Sequence, residues 1–397
     1  MNTLDFSHAE FINNPYATYQ ALLASDTPYF LPLNHQINTS GIWLFSRYDD
    51  VLSIFKETQA VSKQIGKVRL NKQHSILDLH LLNQDTAIHS RLRNTVKDAF
   101  TAKRIKTLEP KLEYLAKQLI DSMREQGEVD FISAFAQAFP ITVISDLIGI
   151  AQSDYHKIQT WSADIRLGFD SILATSDDFK KQAQALAEIT DYFNYLIKHY
   201  QQNPSDNLIS HLIQAHEDHK HLNYNEMLSM LIILLIAGHE TTVNLLGNGL
   251  LTLLQHPEQF ALLKSQPEYI NTAIEEILRF ESPAQRTTFR MTTAPIKINS
   301  HTIEAGQQIA GLIGAANRDY AYFKNPNSFD ITRNPNPHLA FGLGTHACLG
   351  NFLARAEARI AFKEILLQLP NISLGNSAHQ WNRITFFRSL QSLPIRC

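Results

Sequence analysis

Cysteine is scarce in this chain: of 397 residues only Cys348 and Cys397 carry a thiol. Cys348 sits in the run Phe341-Gly342-Leu343-Gly344-Thr345-His346-Ala347-Cys348-Leu349-Gly350. A lone cysteine cannot complete a four-cysteine zinc site, but it can act as a single thiolate ligand. Glycine reaches backbone conformations closed to other residues and lets the chain approach a bound group. Such a loop can aim N–H groups at the sulfur. Residues 351–359 read as a helix. A cysteine just before a helix N-terminus is favoured as the thiolate by unpaired N–H groups and the helix dipole. The plain alternative is a buried free cysteine at a strand-to-helix turn.

Three further groups could do chemistry. Ala237-Gly238-His239-Glu240-Thr241-Thr242 lies midway along an apolar helical stretch, 225–255. A buried glutamate there is costly unless it has partners or work to do. Adjacent helical residues point about 100° apart, so Thr241 can face a cavity while Glu240 faces a side channel, and Gly238 leaves room for a ligand. Glu276 and Arg279 stand three apart on a second helix, which alone signals only a surface pair. His89 and Arg93 share a helix face, and Arg290 and His346 add cationic groups of the kind that carboxylates leaving water require.

Taken together these residues resemble the cytochrome P450 family, the match resting on Phe341, Gly342, Gly344, His346, Cys348 and Gly350 and on the order of the other groups. The resemblance covers nearly the whole chain and is weakest over 58–84 and 155–222. It implies a mainly α fold with a small β region, in one domain over 1–397. It implies haem b as cofactor, with Cys348 as the axial iron ligand, a thiolate that favours O–O cleavage. Ala237, Phe341, Gly342 and Gly350 would lie against the haem. His89, Arg93, Arg290 and His346 would hold its propionates. Glu240 and Thr241 would form an acid–alcohol pair that delivers protons to dioxygen. Glu276, Arg279 and Arg333 would form a buried network bracing the cysteine loop. Substrate-pocket positions by the same resemblance are Leu79, Leu82, Ile236, Ala237, Ala284, Gln285, Phe386 and Phe387, with Gln285 and Thr385 as polar handles. Arg91 and Arg286 would be surface or partner-facing.

The implied activity is that of a monooxygenase inserting one oxygen atom from O2 into a mainly apolar molecule, by hydroxylation or epoxidation, in natural-product or lipid metabolism. The alternatives are a peroxide-driven, coupling or desaturating member and a non-catalytic haem module. Peroxide-driven members usually lack the acid–alcohol pair, which this chain keeps. The sequence has no Gly-x-Gly-x-x-Gly after a strand and no cysteine cluster, so electrons would come from a separate ferredoxin and its reductase. Lys97, Lys103, Arg104 and Arg355 would form the docking face.

Bulk composition agrees with a globular protein: 18% charged and 44% hydrophobic residues. A formal net charge of -3 gives no support for nucleic-acid binding. The N-terminus carries no basic cluster and no apolar core, and the apolar stretch 227–237 is too short to span a bilayer. Two unpaired cysteines fit a reducing compartment, so the expectation is a bacterial cytoplasmic protein with no membrane partner. Helices are expected over 15–23, 49–56, 86–99, 105–124, 131–149 (interrupted at Pro140), 225–255 and 266–280, with two or more within 153–200 around Gly168. Strands are expected at 41–45, 296–298 and 308–310, with a final hairpin in 387–396.

Overall fold

The helix Tyr224–Gln255 organises the molecule. Asn223 accepts the Glu226 N–H and the Glu226 carboxylate returns the bond, a reciprocal cap that fixes the start of the helix. Leucine, isoleucine and methionine on nearly every face bury it among the helices Ala138–Ile148, Ile270–Phe280 and Asn351–Gln368. It is the one described helix long and apolar enough to cross a membrane, and 83% of its most apolar window is buried inside the protein. The structure, a computed structural model, describes residues 4–25, 27–33, 41–65, 75–217, 222–298 and 301–397. Part of the weakly readable stretch 58–84 therefore lies outside the described residues.

The remaining helices wrap this core. Thr86–Val96 leads into Ala102–Gln126, which packs along Asn351–Gln368. Tyr155–Leu167 and Ser176–Gln202 pack on each other, joined by a loop through Gly168 and Asp170. The expected break at Pro140 is not there. A wide π-type turn, Ile132–Ala136, precedes Ala138–Ile148 instead. Pro140 occupies the first turn of that helix, where its missing N–H is no loss.

The β structure is small. A five-stranded sheet has the order Tyr29–Pro32, Gly41–Phe45, Gln308–Gly311, Met291–Thr292, Val61–Ser62. Its one parallel pair sets Ile42 against Gln308 and Phe45 against Gly311. Ile296–Ile298 and His301–Ile303 form a separate ribbon. The expected C-terminal hairpin is corrected: Leu390–Ser392 pairs with Gln380–Trp381, whereas Pro394–Arg396 pairs with Glu128–Asp130 and Ser373–Leu374. The two strands follow one another without pairing, because each finds its partner far away in sequence.

Candidate active site

A cavity of about 460 Å³ opens between the middle of the Tyr224–Gln255 helix and the loop that precedes Asn351–Gln368. Phe341, Gly342, His346, Cys348 and Gly350 line it on the loop side. Gly342 and Gly344 take φ of 64° and 72°, where a side chain is strained. The turn closes when the Cys348 N–H donates to the Phe341 carbonyl at 2.8 Å. Gly350 has an ordinary φ of -85°, so its backbone does not demand glycine. A Cβ there would meet nothing within 4 Å, which leaves a bare recess beside Cys348. Burial pushes the Cys348 thiol above its ordinary pKa, and the Gly350 N–H, Arg93 and Arg355 oppose that. Desolvation thus opposes the thiolate, and a bound metal cation would favour it.

On the helix side, Ala237 and Thr241 escape the burial of their neighbours and line the cavity. The Thr241 hydroxyl donates to the Ala237 carbonyl at 2.9 Å. Its lone pairs are therefore what it offers to a protic group in the cavity. Gly238 also lines the cavity, and it is constrained by packing as well, since a Cβ would come within 2.8 Å of Ile144. Glu240 is buried behind the helix and meets Arg166 at 3.2 Å and His239 at 3.4 Å instead of an open channel. Burial pushes its carboxyl up, but Arg166 and His239 outweigh that and hold it at about 2. A second acid escaped the sequence reading. Glu357 lines the cavity, receives the Thr242 hydroxyl at 3.3 Å, and is pushed well above the carboxylate range by burial.

At one rim several basic side chains gather, with Asp85 beside Lys63. Arg93 and Arg290 line the cavity, their guanidinium groups donating only to the Ala347 and Thr288 carbonyls, at 2.9 and 3.2 Å. His89 lies behind the cavity wall, its ring 4.0 Å from that of His346. Among the described residues, both nitrogens of His89 and Nδ1 of His346 lack hydrogen-bond partners. Lys63 joins them unannounced by any sequence pattern: it is buried, lines the cavity, and reaches Thr288 Oγ1 at 2.5 Å. Burial first, then these cations, hold His89 at about 4 and His346 at about 2, and burial brings Arg290 down to about 10.

Glu276, Arg279 and Arg333 come together in one network. Arg279 grips Glu276 through two bonds of 2.7 Å, both side chains being fully buried, and Arg333 adds a third arm at 3.1 Å. Arg355 is held in an ion pair with its side chain still 37% exposed. It is bonded to Glu275 at 2.7 and 2.8 Å and stacked 4.3 Å from the Phe341 ring, so it steadies the cysteine loop. Arg104 pairs with Asp206 at 3.3 Å. Arg91 pairs with Glu226 at 2.6 Å, tying down the start of the central helix. Arg286 is likewise no surface residue: it is buried against Asp170.

Among the expected pocket positions, Leu82, Ile236, Ala237, Ala284, Phe386 and Phe387 line the cavity. Leu79 and Gln285 do not. Gln285 is turned into the core, where its amide donates to the Ser282 carbonyl at 2.7 Å. Thr385 spends its hydroxyl and N–H on Asp170.

Comparison with known proteins names the class that this fold and site define. The cytochrome P450 family profile matches residues 33–370. The chain is 37% identical to the polyketide biosynthesis cytochrome P450 PksS of Bacillus subtilis (strain 168), covering 97% of this chain and 96% of that one. It superposes on P450BioI, solved with acyl carrier protein ligated to hexadec-9Z-enoic acid, at a TM-score of 0.90 and 34% identity, covering 98% and 100% of the chains. On myxobacterial CYP267B1, solved with myristic acid, the TM-score is 0.92 at 32% identity, covering 98% of both chains. The chain belongs to the cytochrome P450 family. It is an oxidoreductase of the monooxygenase type, with cysteine-ligated haem b as its cofactor, a small-molecule substrate, O2, and redox partners. The residues present fit such a group: a thiol in the loop wall, a recess kept bare at Gly350, and Lys63, Arg93 and Arg290 at a rim suited to two carboxylates.

Proposed function

We propose that the chain holds haem b through Cys348 and inserts one oxygen atom from O2 into a mid-sized to large, mainly apolar molecule, by hydroxylation or epoxidation, in natural-product or lipid metabolism. The observation that carries this reading is the sharing of one cavity by Cys348, the Ala237–Thr241 opening in the central helix, and apolar walls from Leu82, Ile236 and Phe386. Lipid- and polyketide-linked relatives support the substrate class. Such a pocket selects by shape and burial. When bound, haem b supplies the redox-active iron that activates dioxygen. Around it Arg93, Arg290, His89, His346 and Lys63 fix the propionates. Thr241 holds a proton donor at its Oγ1. Glu240, ion-paired with Arg166, helps relay protons toward Thr241. Glu276, Arg279 and Arg333 keep the cysteine loop in place.

In this reading the chain acts as one domain over 1–397, and electrons arrive from a separate ferredoxin and its reductase. Lys97, Lys103, Arg104 and Arg355 carry the docking proposal, the last two from partly exposed ion pairs with Asp206 and Glu275. The test is spectroscopic. Reduced protein under carbon monoxide should show the red-shifted Soret band of thiolate ligation. Cys348→Ser should lose that band and Cys397→Ser should keep it. The reverse pattern would end the assignment.

A further inference from the structure

Arg286 stands in the cavity wall beside Ser171, Ala284 and Phe386, its guanidinium carbon 5.2 Å from the Phe386 ring. It is 4% exposed. One N–H donates to Ser171 Oγ at 2.9 Å and another to Asp170 Oδ1 at 3.2 Å. Asp170 cannot satisfy more of it. Its Oδ1 also accepts from the Thr385 hydroxyl at 2.7 Å and the Ile172 N–H at 3.1 Å, and its Oδ2 accepts the Thr385 N–H. Among the described residues the Arg286 Nε–H has no acceptor, but it is closed off from the cavity; what remains for a ligand is the second N–H of each terminal nitrogen, since each donates only once within the protein. A guanidinium carries five N–H donors in a rigid fork and no acceptor, and an unmatched buried donor is costly. This part of the wall therefore offers donors and asks the ligand for an oxygen.

We propose that Arg286, positioned by Asp170, is a specificity-determining hydrogen-bond donor, and that the substrate presents a neutral carbonyl oxygen to it. The inference rests on the monooxygenase reading above and adds the polar feature of the substrate. Charge decides between acceptors. Asp170 already balances Arg286, so a carboxylate would bring a second, uncompensated negative charge into a buried site. An ester, lactone or amide carbonyl accepts the N–H without that cost. A pure hydrocarbon leaves the donor unmatched.

The experiment titrates the haem-loaded full chain with methyl dodecanoate, dodecanoate and dodecane at neutral pH and follows the Soret band. The ester should bind on the order of tenfold tighter than the alkane, the factor expected for one hydrogen bond from a charged donor, and tighter than the free acid. Arg286→Leu should erase the ester's advantage while leaving alkane binding in place. Asp170→Asn keeps an acceptor for Thr385 and removes the balancing charge, so preference should move to dodecanoate. Equal affinity of all three ligands for the unaltered protein overturns the proposal and leaves the apolar-cavity reading standing. So does tightest binding of the free acid, or an ester advantage that survives in Arg286→Leu. If the carbon monoxide band is normal but no lipophilic ligand shifts the Soret band, the cavity reading itself falls and this proposal with it. The comparisons on the unaltered protein decide the matter even where a variant fails to load haem.

Discussion

Thr241 and Glu240 are neighbours in sequence that face different surroundings, one a cavity and the other an ion pair. Thr241→Ala removes the lone pairs that can hold a proton donor in the cavity. It should retain haem and lipophile binding yet divert electrons to hydrogen peroxide, measured as peroxide formed per electron consumed. Unchanged product per electron in both Thr241→Ala and Glu240→Gln would leave the pair a packing feature. Glu240 also ties stability to pH. Its folded pKa is depressed to about 2 from an ordinary 4.5. The pair's contribution is therefore full above pH 4.5 and is lost as pH falls through about 2. Without Arg166, burial dominates and the carboxyl should rise. Arg166→Gln should thus flatten or invert that acid-side loss, seen in urea midpoints measured across this range. Glu240 and Thr241 were legible because polar residues interrupt an apolar helix. Arg166 was not, since an arginine on an amphipathic helix looks the same whether it meets water or a glutamate 74 residues away.

The basic groups at the rim depend on elements rather than on any one stretch of chain. Lys63 follows the edge strand Val61–Ser62, Arg93 ends the last turn of Thr86–Val96, Arg290 enters the strand Met291–Thr292, and His346 belongs to the cysteine loop. The four-residue spacing of His89 and Arg93 made that pair readable. Lys63 had no such cue; only the pairing of Val61 with Thr292 carries it to Thr288. A charge-assisted hydrogen bond contributes roughly 1.5–3 kcal/mol. Arg93→Ala, Arg290→Ala and Lys63→Met should each release haem to apomyoglobin about tenfold or more faster than the unaltered protein, with exposed Lys103→Ala as the neutral control. Arg91→Ala is unsuitable as that control, because Arg91 anchors Glu226 at the head of the central helix. Equal transfer rates for Lys63→Met and Lys103→Ala would remove Lys63 from the cradle.

At the scale of the whole molecule, long periodic helices were readable and the pairing of short strands was not. The central helix announces itself by thirty-odd mainly apolar residues between a cap and His256. Nothing local to Leu390–Ser392 or Pro394–Arg396 says that one seeks Gln380–Trp381 and the other Glu128–Asp130, since two- and three-residue strands are fixed by distant contacts. The same limit governs the cavity. Its apolar lining follows from the core that surrounds it, whereas its polar wall at Arg286 depends on a loop meeting two other segments. Leu82, Ile233, Ile236, Phe169 and Phe386 give the ligand far more apolar than charged surface to cover. Small charged metabolites would lose their hydration there with little in return. In a Soret titration of the haem-loaded protein, lipophilic molecules large enough to fill about 460 Å³ should therefore produce the spin shift, and small charged metabolites should not. Tight, shift-inducing binding of a small charged metabolite, with no response to any lipophilic compound, would refute the apolar cavity as the substrate site.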